Sequence, residues 1–290
     1  MFMQILINSL IAWSLYALVA TGFSLTYSVS KFLNFAYGSM VVISGYFLYL
    51  FYSILHIPFF LSIWFVLVVS VVLWLLIHLL LRKPMRGKKV SNIMMLIVSL
   101  SLMIGLESLI QIYFGANVKT IWFITIAKWN EFLGAVITDL QIVIFMIVFC
   151  LFIWFWLFFK KTRFGKAMRA LSDNHNLSTI YWLKPENIYI RTTVLVALIA
   201  GVGWILIALE QNLEPSMWTN LVIKGFTWAV IWNILSVPWS ILWAFLLWLA
   251  ENFGIWFLPS WYKDAIAFVL LFLFLLVKPK GILAKDTRDV

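Results

Sequence analysis

Apolar runs long enough to cross a bilayer alternate along this chain with short polar breaks. A membrane-spanning helix needs roughly 20 mostly apolar residues. On that measure the pattern predicts spans at about 5–27, 32–54, 58–80, 91–113, 140–159 and 189–209. A less regular stretch follows from 221 to 253, then a last span at about 264–277. The first 30 residues lack a basic start and a small-residue cleavage site, so they read as a retained helix.

The breaks carry the charge. One basic cluster is Arg82, Lys83, Arg86, Lys88 and Lys89. A second is Lys160, Lys161, Arg163, Lys166 and Arg169, extended by Lys184 and Arg191, and a third is the tail with Lys278, Lys280, Lys285 and Arg288. With Lys31 these hold 17 of the 21 Lys and Arg residues, and placing them all in the cytoplasm satisfies the positive-inside rule. Successive clusters must then be separated by an even number of crossings. Between 191 and 278 two crossings are required, yet the apolar material falls into three or four pieces. The simplest resolution is a re-entrant hairpin over 221–253, turning near Ser236-Val237-Pro238. Such broken helices are tolerated only where protein or a water-filled cavity surrounds them. The alternative is two short spans joined at the same point. With the hairpin, the N-terminus lies outside and the C-terminus inside.

Composition narrows the class. The chain is 64% hydrophobic and 11% charged, about half the charge of a soluble domain. Its net charge of +10 sits in short clusters without aromatic interleaving, which excludes nucleic acid as a partner. The lone Cys150 offers neither a disulfide nor a metal framework. His56, His78 and His175 form no catalytic or metal-binding pair, and neither a nucleophile elbow nor a phosphate-binding loop is present. The expectation is an all-α polytopic membrane protein of about seven full spans plus the hairpin, forming a single transmembrane domain over 1–290. It carries no catalytic or metal site and no cofactor of its own.

The loop over 160–190 is the most informative soluble segment. A short helix over roughly Lys166–Tyr181, ended by Pro185, reads either as a charged linker or as an element that passes force from a soluble partner into the membrane. Thr162-Arg163-Phe164-Gly165-Lys166-Ala167-Met168-Arg169-Ala170 resembles the cytoplasmic loop of the permeases of branched-chain amino-acid ABC transporters. Leu33-Asn34-Phe35-Ala36-Tyr37-Gly38, Lys224 through Glu251, Tyr262-Lys263-Asp264-Ala265-Ile266 and Lys278-Pro279-Lys280-Gly281-Ile282-Leu283 match that family in the same register. The resemblance implies a coupling helix on which Gly165, Lys166, Arg169, Ala170, Asp173 and Pro185 meet an ATPase. It also implies partners: a second permease, two cytoplasmic ATPase subunits that use the ATP, an extracytoplasmic binding protein, and the lipid of the inner membrane. A urea or short-chain amide importer shares the pattern. Outside that class stand an intramembrane enzyme and a structural membrane subunit that carries nothing.

Polar groups within the spans are the path candidates, because charge at the bilayer centre costs about 2.5–3.5 kcal/mol on insertion scales. Asn34, Tyr37 and Gly38 open the second span, at a segment that borders the pathway in the family. Glu107 reads either as a carboxyl bonded to a neighbouring helix or as a group on the path. Lys224 either snorkels outward or meets a substrate carboxylate. The family comparison also marks departures: Trp13, Trp182, Trp204, Trp218, Trp232, Trp239, Trp243, Trp248 and Trp261 stand where glycine is expected. Drift at nine positions, always from the smallest side chain to the largest, is physically implausible. These positions are read as glycine codons of the source organism translated under a different code. The other reading is an aromatic-rich variant with a repacked hairpin.

Overall fold

A backbone in lipid must satisfy its polar groups internally, and the long apolar runs do so as helices. The computed structural model describes residues 2–88, 90–121, 129–132, 135–173 and 185–217, with single helical positions at 252, 254, 265, 268, 269, 272, 273 and 276. Helix α1 covers Phe2–Ser30, and α2 covers Ala36–Leu48 and continues as a π-helical turn, Tyr49–Ile54. Helix α3 (Phe59–Ile77) runs through a second π-helical turn, His78–Arg82, into α4 (Lys83–Gly87). Then come α5 (Asn92–Phe114), α6 (Asp139–Lys161), the short α7 (Arg163–Asp173) and α8 (Pro185–Glu210). Among the described residues six helical stretches are long and apolar enough to cross a membrane, one for each of the first six predicted spans. The protein is an all-α polytopic membrane protein.

The third span departs from expectation. It runs to Gly87 rather than to about 80. The π-helical turn shifts the hydrogen-bond ladder just ahead of Pro84, whose missing N–H would break a regular one. A short antiparallel hairpin between α5 and α6, β1 (Trp129–Phe132) and β2 (Ala135–Thr138), was also not expected. The predicted hairpin over 221–253 and Lys224 lie outside the described residues. In the predicted span at 264–277, Phe268, Val269, Phe272, Leu273 and Leu276 are exposed at helical spacing, as lipid-facing residues would be.

Side-chain size decides which helix sits in the middle. Helix α8, with Ala197, Ala200, Gly201 and Gly203, packs against α1, α2 and α3, and 72% of its apolar window is buried, against 17% for the Phe- and Trp-rich α6. Small residues let helix backbones approach closely in lipid. A Cβ at Gly201 would meet Leu67 Cδ2 of α3 at 2.9 Å. Bulky α6 instead turns Met146, Phe149, Trp154 and Trp156 outward.

Loop contacts sort the helix ends onto two sides. At one end Lys119 and Leu213 exchange backbone hydrogen bonds of 2.9 and 2.7 Å, and Gln141 donates to Glu210 at 2.8 Å. The hairpin is tied there too, because Gln4 pairs with the backbone of Val136 through both its amide atoms. At the other end Glu186 of α8 meets Lys83, and α7 packs against α1, α6 and α8. The first two basic clusters therefore share one end of the bundle.

Candidate transport path and coupling surface

The α6–α7 corner is built by two residues. Thr162 stands between the helices, and its hydroxyl accepts from the Gly165 N–H at 3.0 Å as an N-cap while donating to Phe158 O at 2.6 Å. Gly165 then passes so close to α6 that a Cβ would lie 2.7 Å from Phe159 Cα and 2.8 Å from Phe158 O. Only glycine allows this fold-back. The expected helix over Lys166–Tyr181 starts earlier, at Arg163, and is described to Asp173. It is amphipathic. Met168, Leu171 and Ser172 are buried against the bundle, while Lys166, Arg169 and Ala170 face away from it. Asp173 ends the described helix and Pro185 opens α8, where a missing N–H costs nothing.

The bend between α1 and α2 gathers Asn34, Tyr37 and Gly38. The Tyr37 and Gly38 N–H groups donate to the carbonyls of Asn34 and Phe35 at 3.3 and 3.2 Å, and Ser99 of α5 accepts from the Phe35 N–H at 3.3 Å. Tyr37 is 1% exposed; its ring packs edge-on between Phe23 and Trp74. Its hydroxyl lies where a Cβ at Gly22 would stand. Asn34, 3% exposed, lines a small cavity between α3 and α5, and no acceptor reaches its Nδ2. Glu107 is not part of this group. It accepts from Gln111 at 3.3 Å on the same helix, and eight residues beyond Ser99 it lies about 12 Å farther along α5.

Sequence reading counted His78, Arg82 and Arg86 only as orienting charge or as an isolated histidine. The structure makes them one face with Trp74. Their four-residue spacing was the available signal, and the π-helical turn at 78–82, wider than an α-turn, keeps that spacing in line. The Arg82 guanidinium lies 3.9 Å from the Trp74 ring centroid, and that of Arg86 3.6 Å from Tyr189. Thr193 Oγ1 is 3.3 Å from His78 Nδ1. Glu186 is the one acid recorded in contact with the group, 3.6 Å from Lys83 Nζ and 3.8 Å from His78 Nε2, both beyond hydrogen-bond reach.

At the opposite end an open pocket of about 810 Å³ is lined by Tyr49, Tyr52, Ser53, His56, Lys119 and Thr120 among others. Two of the tryptophans set against glycine are among the described residues. Trp13 is half-buried, 6.3 Å from Phe152 between ring centroids. Trp204 is fully buried, its indole nitrogen has no acceptor, and a Cβ at Gly45 would run into it. Trp182, Trp218, Trp232, Trp239, Trp243, Trp248 and Trp261 lie outside the described residues. No group of three or more metal-ligating side chains occurs among the described residues.

A family model described as the permease component of the branched-chain amino acid transport system matches residues 5–275. The high-affinity branched-chain amino acid transport system permease protein BraD of Pseudomonas aeruginosa is 29% identical, over 98% of this chain and 96% of its own length. LivH, the corresponding permease protein of Escherichia coli, is 26% identical over the same shares. The probable permease protein LivH of Methanocaldococcus jannaschii is 24% identical over 99% of this chain and 94% of its own. Among solved structures, PsaBC from Streptococcus pneumoniae in complex with Fab aligns with a TM-score of 0.50 at 14% identity, covering 96% of this chain and 92% of that one. At that identity the likeness concerns the fold.

Proposed function

The chain belongs to the branched-chain amino acid transport system permease family, and from that premise we propose that it moves branched-chain amino acids, or closely related small amino acids, through the cytoplasmic membrane. The family member is a transport subunit, not an enzyme, and works with other subunits of an ABC importer. In this reading those are a second permease, two ATPases below the basic end, and an extracytoplasmic binding protein above the pocket at Tyr52, His56 and Lys119. The basic end is cytoplasmic and carries the C-terminus.

One observation carries the reading: α7 seats Met168 and Leu171 on the bundle and presents Lys166, Arg169 and Ala170 away from it. A helix anchored on one face and free on the other transmits a push from a partner to the ends of α1, α6 and α8. ATP-driven closure of the ATPases thereby reopens the path from the outer to the inner side.

The test is reconstitution with the ATPase and partner subunits in proteoliposomes. Leucine should stimulate ATP hydrolysis and enter the vesicles, whereas urea should not. Replacing Lys166 and Arg169 by Glu should abolish the stimulation, at least about tenfold or 1.4 kcal/mol of coupling, without shifting the melting temperature of the chain. Stimulation that survives the double substitution excludes α7 as the coupling element, and urea uptake in place of leucine overturns the substrate.

A further inference from the structure

The basic end buries more cation than it neutralises. Arg82 is 9% exposed. Its guanidinium rests on Trp74, and its Nη2 has no hydrogen-bond partner. Arg86 Nη1 is likewise buried without a partner. Among the described residues the acid at the group is Glu186, 3.6 Å from Lys83 and 3.8 Å from His78, and its Oε1 is itself buried without a hydrogen-bond partner; none of its contacts reaches Arg82. A buried charge of this kind is tolerated only with a compensating partner.

Where that partner sits is indicated by a second group. Arg82 and Asn34 line the same cavity, together with Ser99 and apolar residues of α3 and α5. Asn34 Nδ2 is also buried and unpartnered. Two residues with buried open donors thus come from different elements to the lining of one space. No carboxylate lines it among the described residues. We propose that Arg82 and Asn34 form a binding site for a singly charged oxyanion, a carboxylate or a phosphodiester. Both carry a negatively charged oxygen that can accept from the open Nη2 of Arg82 and Nδ2 of Asn34.

Size and depth restrict the ligand further. The cavity holds about 20 Å³, space for one water-sized group, so it takes the oxygen end of a ligand whose remainder stays outside. The third span counts 29 residues, about 43 Å of helix against a hydrocarbon core of about 30 Å. Arg82 therefore stands at the level of lipid headgroups. Leu80, Ile93 and Ile97, adjacent in sequence to lining residues or one turn from them, are exposed. The oxyanion comes either from an anionic lipid of the adjacent leaflet or from the carboxylate of the transported amino acid on its way out. The second source rests on the transport reading above, and the first does not.

The full chain in phosphate-free alkyl maltoside micelles separates these outcomes by its melting temperature. The probes are phosphatidylglycerol added to those micelles, and leucine or leucinamide added to the micelles alone. A rise of about 2–4 °C with phosphatidylglycerol, lost in Arg82→Gln and reduced in Asn34→Ala, establishes the site with a headgroup source. A rise with leucine but not leucinamide, lost in the same variants, establishes it with a substrate source. If neither probe raises the wild-type value, or if Arg82→Gln rises as far as the wild type, the cavity holds water only and the proposal is overturned. Leucine uptake measured in parallel shows whether a negative leucine arm reflects this site or the transport reading itself.

Discussion

The middle of the bundle and its basic end both bury polar side chains, but they satisfy them by opposite means. In the middle most of the groups are serine and threonine hydroxyls, and several return a hydrogen bond to their own helix, while Ser39 donates to Met103 O of α5 and the Tyr46 hydroxyl and Trp204 indole stay unpartnered. Thr21 donates to Ala17 O at 2.7 Å, Ser70 to Val66 O at 2.7 Å, Ser44 to Met40 O at 3.0 Å and Thr192 to Ile188 O at 2.7 Å. The Ser44 and Ser70 hydroxyls also meet across the α2–α3 contact at 2.8 Å. At the basic end the groups are cations and a histidine whose nitrogens keep hydrogen-bonding capacity unused. Self-satisfied hydroxyls demand nothing further and serve close packing. Open buried donors demand a partner, and that demand is what a binding site offers a ligand.

Four substitutions sharpen the contrast, beginning with the largest expected effect on stability. Gly45→Ala forces a methyl group into the Trp204 indole and should cost about 1–3 kcal/mol as overpacking. In a Trp204→Gly background, itself destabilised by the cavity it leaves, the further cost of Gly45→Ala should largely vanish, a coupling between touching residues that a double-mutant cycle reads directly. Additive losses would show that the two do not share the space. Glu186→Gln removes the one carboxylate recorded beside His78 and Lys83. Because Glu186 is 40% exposed, the loss should be about 1 kcal/mol, and it should shrink at high salt. A salt-independent loss would mean that the contact acts through shape and not charge. Ser70→Ala leaves Ser44 bonded to its own helix and should cost about 0.6 kcal/mol, with no dependence on salt or anions. A larger effect would make the hydroxyl pair more than packing glue.

Much of the fold was legible because hydropathy is a local property. Six spans, a short helix beyond the fifth and the clustering of charge follow from local runs of residues, and each appears in the structure. Gly165 was singled out from the family pattern; its physical reason, the 2.7 Å approach to Phe159, becomes visible only when α7 is laid across α6. The β1–β2 hairpin was missed because its strands are four residues long, too short for alternation to register. Glu107 and Asn34 looked equivalent as polar residues within spans. Only their different heights on α5 and at the α1–α2 bend part them.

By itself the sequence determined that this chain lives in lipid, how often it crosses among the described residues, and where its positive charge falls between crossings. Those properties belong to segments, since transfer to a bilayer is a sum over neighbouring residues. The tertiary structure decided what distant segments do to one another. It placed α8 at the centre, set Gly45 against Trp204, and brought Asn34, Arg82 and Ser99 to one cavity from three separate stretches of chain. Such meetings depend on helix rotation and on side-chain volume at each crossing, and no local sum of hydropathy contains either.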